Sequence, residues 1–369
     1  MLAVLYPVNC WKPLNMLRQS AGNLVNVQEV FRGHTLEVMS KKFCKYNSYL
    51  KNQIREYSQG SLALSSMNKL EIEKLDTLYI PNEGENKVSS KFSSYLAGLI
   101  EGDGCIWVPK KGKERDSWNK VISPLITISF NSKDLPLVLI LQERLGTGRI
   151  VKNKGKNAYT YRISNYINLV KIVNIINGYM RTPKINQLNN LIDFLNAKGY
   201  NIKKYPIDVS FLNSNGWLAG FIDSDGHFSV RLSIKGQNVK KTRVSCSLEI
   251  TQRQVDLSGG SLYTILSLIG EFLLAKVKIT KSKYSIKAKF RIRTTSLEGN
   301  IILKNYLNNY PIFSSKYLDY LDWCTALDLF ERNIRPKPLD KIAIIKSNMN
   351  DNRTYFTWDH LQNFYRLID

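Results

Sequence analysis

The sequence predicts an α+β protein made of two tandem copies of one unit, and three observations carry that prediction. Tyr95-Leu-Ala-Gly-Leu-Ile-Glu-Gly-Asp-Gly104 and Trp217-Leu-Ala-Gly-Phe-Ile-Asp-Ser-Asp-Gly226 are near copies, 122 positions apart from Asp103 to Asp225. Self-similarity at that period means a duplicated folding unit, not a short-period solenoid. After each copy come segments in which polar and apolar residues alternate, the period of a half-buried strand. Apolar stretches at helical spacing, about Asp134 to Leu145 and Leu262 to Leu274, separate the strand pairs. Each copy therefore reads helix, strand pair, helix, strand pair, helix, with one sheet face packed on helices and the other free.

In chain order, residues 1–90 form an extension with Lys41-Lys42, a helix expected around Lys51 to Tyr57, an acidic stretch from Glu71 to Asp76, and no visible chemistry. Met1 to about Ser20 lacks the pattern of a cleaved targeting peptide. The first repeat is expected at 91–199 and the second at 200–330. In a helix, Gly98 and Gly102, or Gly220 and Ser224, fall four apart on one face and expose backbone for close approach. Two such faces can meet, with Leu96, Leu99, Ile100, Leu218, Phe221 and Ile222 filling the core around the seam. The closing Asp-Gly marks a helix stop. A carboxylate there faces the negative end of the helix dipole, and two brought together also repel, which a divalent cation would relieve.

In the first repeat Leu125-Ile-Thr-Ile-Ser-Phe-Asn131 alternates well and Ala158-Tyr-Thr-Tyr-Arg-Ile-Ser164 moderately. Three runs in the second repeat are stronger. Ser229 to Lys235 places Arg231 and Lys235 on its polar face; Arg243 to Arg253 places Arg243, Ser247, Glu249 and Arg253 there; Ile286 to Arg293 places Lys287, Lys289, Arg291 and Arg293 there. One such face is the ordinary dress of a one-sided sheet, but several together make a broad basic surface suited to the major groove. Residues 331–369 open with Arg332-Asn-Ile-Arg-Pro-Lys-Pro338 and read as a basic tail, adding either a helix or a phosphate contact.

Composition narrows the partner. Lys plus Arg is 53 against 30 for Asp plus Glu in 369 residues, a formal net charge of +23, which points to nucleic acid. Five cysteines without metal-ligand spacing read as thiols of a reducing compartment. No apolar segment reaches the length of a membrane span, so a soluble protein is expected. Three scattered histidines support neither zinc chemistry nor a Ser-His-Asp triad, and His227, opposite Cys105 in the other copy, reads as a plain strand residue.

The paired motif resembles the signature of the LAGLIDADG homing endonucleases over about residues 91 to 330. The resemblance implies two tandem αββαββα units related by a pseudo-twofold axis, their antiparallel sheets forming a saddle along double-stranded DNA. It also implies a divalent metal, Mg²⁺, held by Asp103 and Asp225 with the backbone carbonyls of Gly102 and Ser224. Arg181-Thr-Pro-Lys-Ile-Asn-Gln-Leu188 and Phe313-Ser-Ser-Lys-Tyr-Leu-Asp-Tyr320 correspond, so Lys184 and Lys316 align. The resemblance gives both a role near the scissile phosphate. Ser129 and Glu249 are rough counterparts of a polar strand residue in the family's water network, with Gln252 nearby, although the two do not match each other. The first copy departs from the family name in Glu101 and the second in Ser224, but neither change touches Asp103 or Asp225.

The expected function is metal-dependent cleavage of both strands of one duplex site by a monomer, spreading a host intron. Two alternatives stay open: an RNA maturase that helps its group I intron splice, and a non-catalytic binder of ribosomal type. Richness in Lys, Asn, Ile and Tyr suggests an A/T-rich genome and, with the family resemblance, a mitochondrial setting.

Overall fold

The computed structural model describes residues 88–368 except 111, 113, 114, 116, 120, 237–240, 282–286 and 332–337. The features expected within residues 1–87 lie outside the described residues. The first repeat runs α1 (Ser90–Asp103), β1 (Gly104–Trp107), β2 (Leu125–Asn131), α2 (Leu135–Leu145), β3 (Arg149–Lys152), β4 (Ala158–Ile163), α3 (Tyr166–Ile176) and α4 (Ile185–Asn196). The second runs α5 (Trp217–Asp225), β5 (Gly226–Ser233), β6 (Arg243–Arg253), α6 (Tyr263–Phe272), β7 (Lys278–Thr280), β8 (Lys289–Arg293), α7 (Leu297–Asn309) and α8 (Lys316–Glu331). A further helix, α9 (Leu339–Ser347), follows. The two antiparallel sheets have the same order, β1-β2-β4-β3 and β5-β6-β8-β7.

Each repeat thus holds the expected αββαββα unit plus one more helix, because the chain breaks after α3 and again after α7. Gly178 takes a left-handed φ of 92° just past α3 and Pro183 follows, while Pro311 follows α7. Neither proline can continue a preceding helix. Strands β2, β4, β5, β6 and β8 fall on the alternating runs that predict them, whereas β1 comes from a four-residue segment with no such run. Edge strands β3 and β7, four and three residues long, are too short to show it.

Helices α1 and α5 make the seam. Every residue from Phe92 to Glu101, and from Trp217 to Ser224, is buried, so both are apolar nearly all round. Their glycines set the approach. A Cβ on Gly98 would lie 2.0 Å from the Trp217 carbonyl oxygen, and one on Gly220 would lie 2.0 Å from that of Tyr95. The expected pattern of small residues four apart is therefore the contact itself.

Gly104 and Gly226 end the two helices differently from the usual left-handed stop. Both are extended, and a Cβ at Gly104 would come within 2.5 Å of the Ile100 carbonyl oxygen. Only the missing side chain lets the strand leave so close to the helix end.

The tail is more than a basic arm. Ile342, Met349, Leu361, Phe364 and Tyr365 are buried. The Phe364 ring meets those of Phe92, Tyr95 and Phe313 edge-on at 6.0, 5.9 and 4.7 Å. Ser89 donates its N–H to the Leu367 carbonyl, so the tail reaches the start of α1. The linker between the repeats does the equivalent work on the other side, where Arg181 pairs with Asp208 at 2.6 Å and donates to the Ser210 carbonyl and hydroxyl.

Candidate active site

The site grows from the C-terminal ends of α1 and α5, which the crossing brings together. Asp103 is the last residue of one helix and Asp225 of the other. The Asp225 Oδ2 atom lies where a Cβ on Gly102 would stand only 2.7 Å away. Such a Cβ would also lie 1.7 Å from the Ser224 hydroxyl, so the serine of the second copy fits because the first copy keeps glycine.

Charge is crowded here. Asp103 reaches solvent at its tip but sits among partly dehydrated groups, and burial followed by the neighbouring Asp225 charge pushes its carboxyl up to about 6. Burial also raises Asp225, against the pull of Lys316, Gln252 and Lys184. The donor set suits a hard divalent cation, since two oxygen donors repel each other until a positive ion lies between or beside them.

Lys184 and Lys316 lie at the same helix ends. The Lys184 ammonium donates to the carbonyls of Ile100 (2.9 Å), Glu101 (2.6 Å), Gly102 (3.4 Å) and Gly104 (2.7 Å). Lys316 repeats this on α5, to Ile222 (3.4 Å), Asp223 (2.8 Å) and Ser224 (2.5 Å). Each lysine caps the motif helix of its own repeat, placing a cation at the negative pole of the dipole. Burial lowers both ammonium groups, and the surrounding carboxylates oppose it. The Gly102 and Ser224 carbonyls, expected as metal ligands, thus already accept from lysine.

Two further acids hold the lysines in place, and sequence reasoning gave them no role. Glu101, 5% exposed, accepts from the backbone N–H groups of Arg181 and Thr182, from the Thr182 hydroxyl, and from Trp217 Nε1. Asp223, also 5% exposed, accepts from the N–H groups of Phe313 and Ser314, the Ser314 hydroxyl, and the Tyr95 hydroxyl. Each acid anchors the turn before its own lysine and takes its fourth bond from the aromatic that opens the other copy's motif. Burial raises both carboxyls, and these bonds pull them back part of the way. The signal was present: an acid between an isoleucine and a small residue, in the same place in both copies.

Strand register gives each of these strand residues its counterpart in the other repeat. Gly104 faces Ile128 and Gly226 faces Ile250, so Glu249 matches Thr127, Ser129 matches Thr251, and Gln252 matches Phe130. Ser129 and Glu249 are therefore not equivalent. Gln252 lies near enough to Asp225 to pull its carboxyl down, while the same position of the first repeat is the buried Phe130.

The expected basic face forms mainly on the second sheet. Arg231, Arg243, Arg253, Lys289, Arg291 and Arg293 share one side of β5, β6 and β8. Two residues fall elsewhere. Strand β5 stops at Ser233, leaving Lys235 exposed in the hairpin with its N–H on the Thr242 hydroxyl, and Lys287 precedes β8. Ser247 has the expected side but is 1% exposed, covered by Ser229 and Arg293. Glu249 lies 4.0 and 3.9 Å from Arg291 and Arg293. His227 is an exposed residue of β5 opposite Glu249.

Comparison with known proteins follows the same outline. The LAGLIDADG endonuclease family profile matches residues 96–195 and 218–327. The chain is 30% identical over 307 residues to the intron-encoded DNA endonuclease aI3 of Saccharomyces cerevisiae, covering 74% of this chain and 73% of that one. It is 29% identical over 181 residues to the intron-encoded RNA maturase bI4 of the same yeast, covering 47% and 25%. Among solved structures, the I-LtrWI LAGLIDADG homing endonuclease bound to target DNA aligns with a TM-score of 0.54 at 20% identity, over 71% of this chain and 99% of that one.

Proposed function

The chain belongs to the LAGLIDADG endonuclease family, and from that premise we propose that it hydrolyses both strands of one DNA site and so promotes the mobility of its host intron. The observation that supports this most is the matched pair at the seam: two aspartates, each at the end of a motif helix, each with its own lysine cap. A pseudo-twofold pair suits one phosphodiester on each strand. On this reading residues 1–90 are an extension, 91–199 and 200–330 the repeats, and 331–369 a tail that packs against both.

Asp103 and Asp225 hold the divalent ion that the family uses, which we take to be Mg²⁺. Held there, such an ion would supply Lewis acidity toward the phosphate and toward a water nucleophile. Lys184 and Lys316 keep the helix ends neutralised and leave positive charge beside the phosphates. Gln252 orients the Asp225 carboxylate through its amide. Arg231, Arg243, Arg253, Lys289, Arg291 and Arg293 neutralise backbone phosphates or reach base edges, with Lys235 and Lys287 at the margin of that surface. The two unlike sheets suit an asymmetric site read by a monomer. The fungal intron-encoded relatives make the mitochondrion the proposed setting.

Incubating the purified chain with a randomised duplex library in Mg²⁺ and in Ca²⁺ tests this. Mg²⁺-dependent double-strand cuts at one long site, lost in Asp103→Asn and Asp225→Asn, are expected; folded protein that cuts no duplex would end the nuclease reading. The match to a maturase favours a second reading, in which the chain binds its host intron RNA. Splicing assistance that survives Asp103→Asn would support it.

A further inference from the structure

The two lysine turns are matched in sequence position but not in how they are fastened. In the second repeat, Ser315, immediately before Lys316, donates its N–H to Asp134 Oδ1 at 2.7 Å. Asp134 belongs to the first repeat, at the start of α2, and both residues are buried, at 8% and 2% exposed. The bond therefore crosses the seam. In the first repeat the residue before Lys184 is Pro183, which has no N–H to give.

The equivalent of Asp134, by the same 122-residue offset as the motif, is Asp256. It turns back on its own loop, accepting from Ser258 N–H at 2.9 Å, Gly260 N–H at 2.7 Å and the Ser258 hydroxyl at 2.6 Å. Gly260 then lies beneath Pro183, where an added Cβ would be 2.3 Å from the proline Cβ. One half has an acid-to-amide bond across the seam and the other a proline on a glycine.

We propose that Asp134 is a positioning residue for the opposite half of the site: it fixes the Ser315–Lys316 turn from across the seam and so sets Lys316 at the end of the helix that carries Asp225. The first repeat's turn needs no such fastening, since Pro183 already restricts it. The small cavity of about 230 Å³ beside Asp103 and Asp134 has Ser315 and Lys316 in its wall, so loss of the bond gives the turn room to move. The two strands of the target should therefore respond differently when Asp134 is altered. This rests on the nuclease reading above.

The test compares nicking rates of the two strands, each end-labelled, in the wild type, Asp134→Ala, Asp134→Asn and Asp256→Ala. Asp134→Ala is expected to change the ratio of the two rates about tenfold, the scale of a displaced catalytic group, with Asp256→Ala within about twofold of wild type. Asp134→Asn keeps an oxygen that can accept the Ser315 N–H and should recover most of the ratio. Amide exchange at Ser315 should quicken in Asp134→Ala only. A uniform slowing of both strands, or an equal shift in Asp256→Ala, would reduce Asp134 to ordinary stability and overturn the proposal. Wild-type protein that cuts nothing would remove the nuclease reading and the proposal together, whereas cutting with an unchanged ratio removes only the latter.

Discussion

The first repeat and the second share a backbone plan but differ in what surrounds their aspartates and in the charge of their sheets. Both have an acid holding a turn, a lysine capping a helix, and a carboxylate at the helix end. Around Asp225 stand Gln252 and a turn fastened by Asp134; at the corresponding places around Asp103 are Phe130 and Pro183. The first sheet carries Arg149 and Arg162 opposite each other with Trp107 and Thr127 nearby, against at least six basic residues on the second. Duplication preserved the groups that fix helix ends, where both copies meet the same electrostatic demand. The groups of the open sheet faces, by contrast, differ between the copies.

The proposed catalytic pair, Asp103 and Asp225, gives the largest expected effect. Asp103→Asn and Asp225→Asn should each lower double-strand cleavage by about 10³-fold or more, a loss typical of removing a principal transition-state group. A variant that still nicks one strand at the wild-type rate would show that the halves act independently.

The seam comes next. Gly98→Ala and Gly220→Ala should each cost about 3 kcal/mol by overpacking, measured by denaturant unfolding. Their effects should be alike, because each Cβ meets the same kind of carbonyl at the same distance. Gly102→Ala should cost about 2 kcal/mol, with part recovered in the double variant with Ser224→Gly, since the two side chains compete for one space. Equal losses with and without Ser224→Gly would contradict that competition.

The buried acids offer a more even comparison. Glu101→Gln and Asp223→Asn should each cost about 1–3 kcal/mol, because an amide cannot accept at both of its heavy atoms and leaves buried donors unpaired. A loss confined to one repeat would break the pseudo-symmetry of the two networks.

Titration sharpens the picture of Asp103. Its carboxyl is raised from 3.8 to about 6 in the folded protein, so between those values the folded state binds more protons and stability falls as pH rises. Without metal, Asp103→Asn should therefore raise Tm at about pH 7.5 and leave it unchanged at about pH 3. Affinity for Mg²⁺ should rise as pH passes through about 6, when the metal-free carboxylate ionises and no longer has to lose a proton to bind the ion. A flat profile from pH 5 to 8 on a scale of about one decade would contradict this.

The smallest effects belong to the sheet faces. Removing Arg231 or Arg253 should lower the slope of log affinity against log salt by about 0.9 for each phosphate that the side chain had neutralised. Arg291→Ala should do less, because Glu249 already lies 4.0 Å from its guanidinium. Equal slopes for Arg149→Ala and Arg231→Ala would deny the difference in charge between the sheets.

By itself the sequence determined the duplication, the crossing glycines, strands β2, β4, β5, β6 and β8, and the candidate aspartates and lysines. These are written as repetition, period and composition, which act locally along the chain. The extra helix in each repeat was foreshadowed only by Gly178, Pro183 and Pro311. Tertiary structure decided what the lysines touch, that Glu101 and Asp223 hold their turns, and that Asp134 reaches Ser315 across the seam. Those are contacts between residues some 80 to 181 positions apart, and no local pattern encodes which of two matched acids will turn outward to the partner repeat and which will turn back on its own loop. The choice depends on whether the facing turn offers an N–H, which only the packed pair of repeats brings within reach.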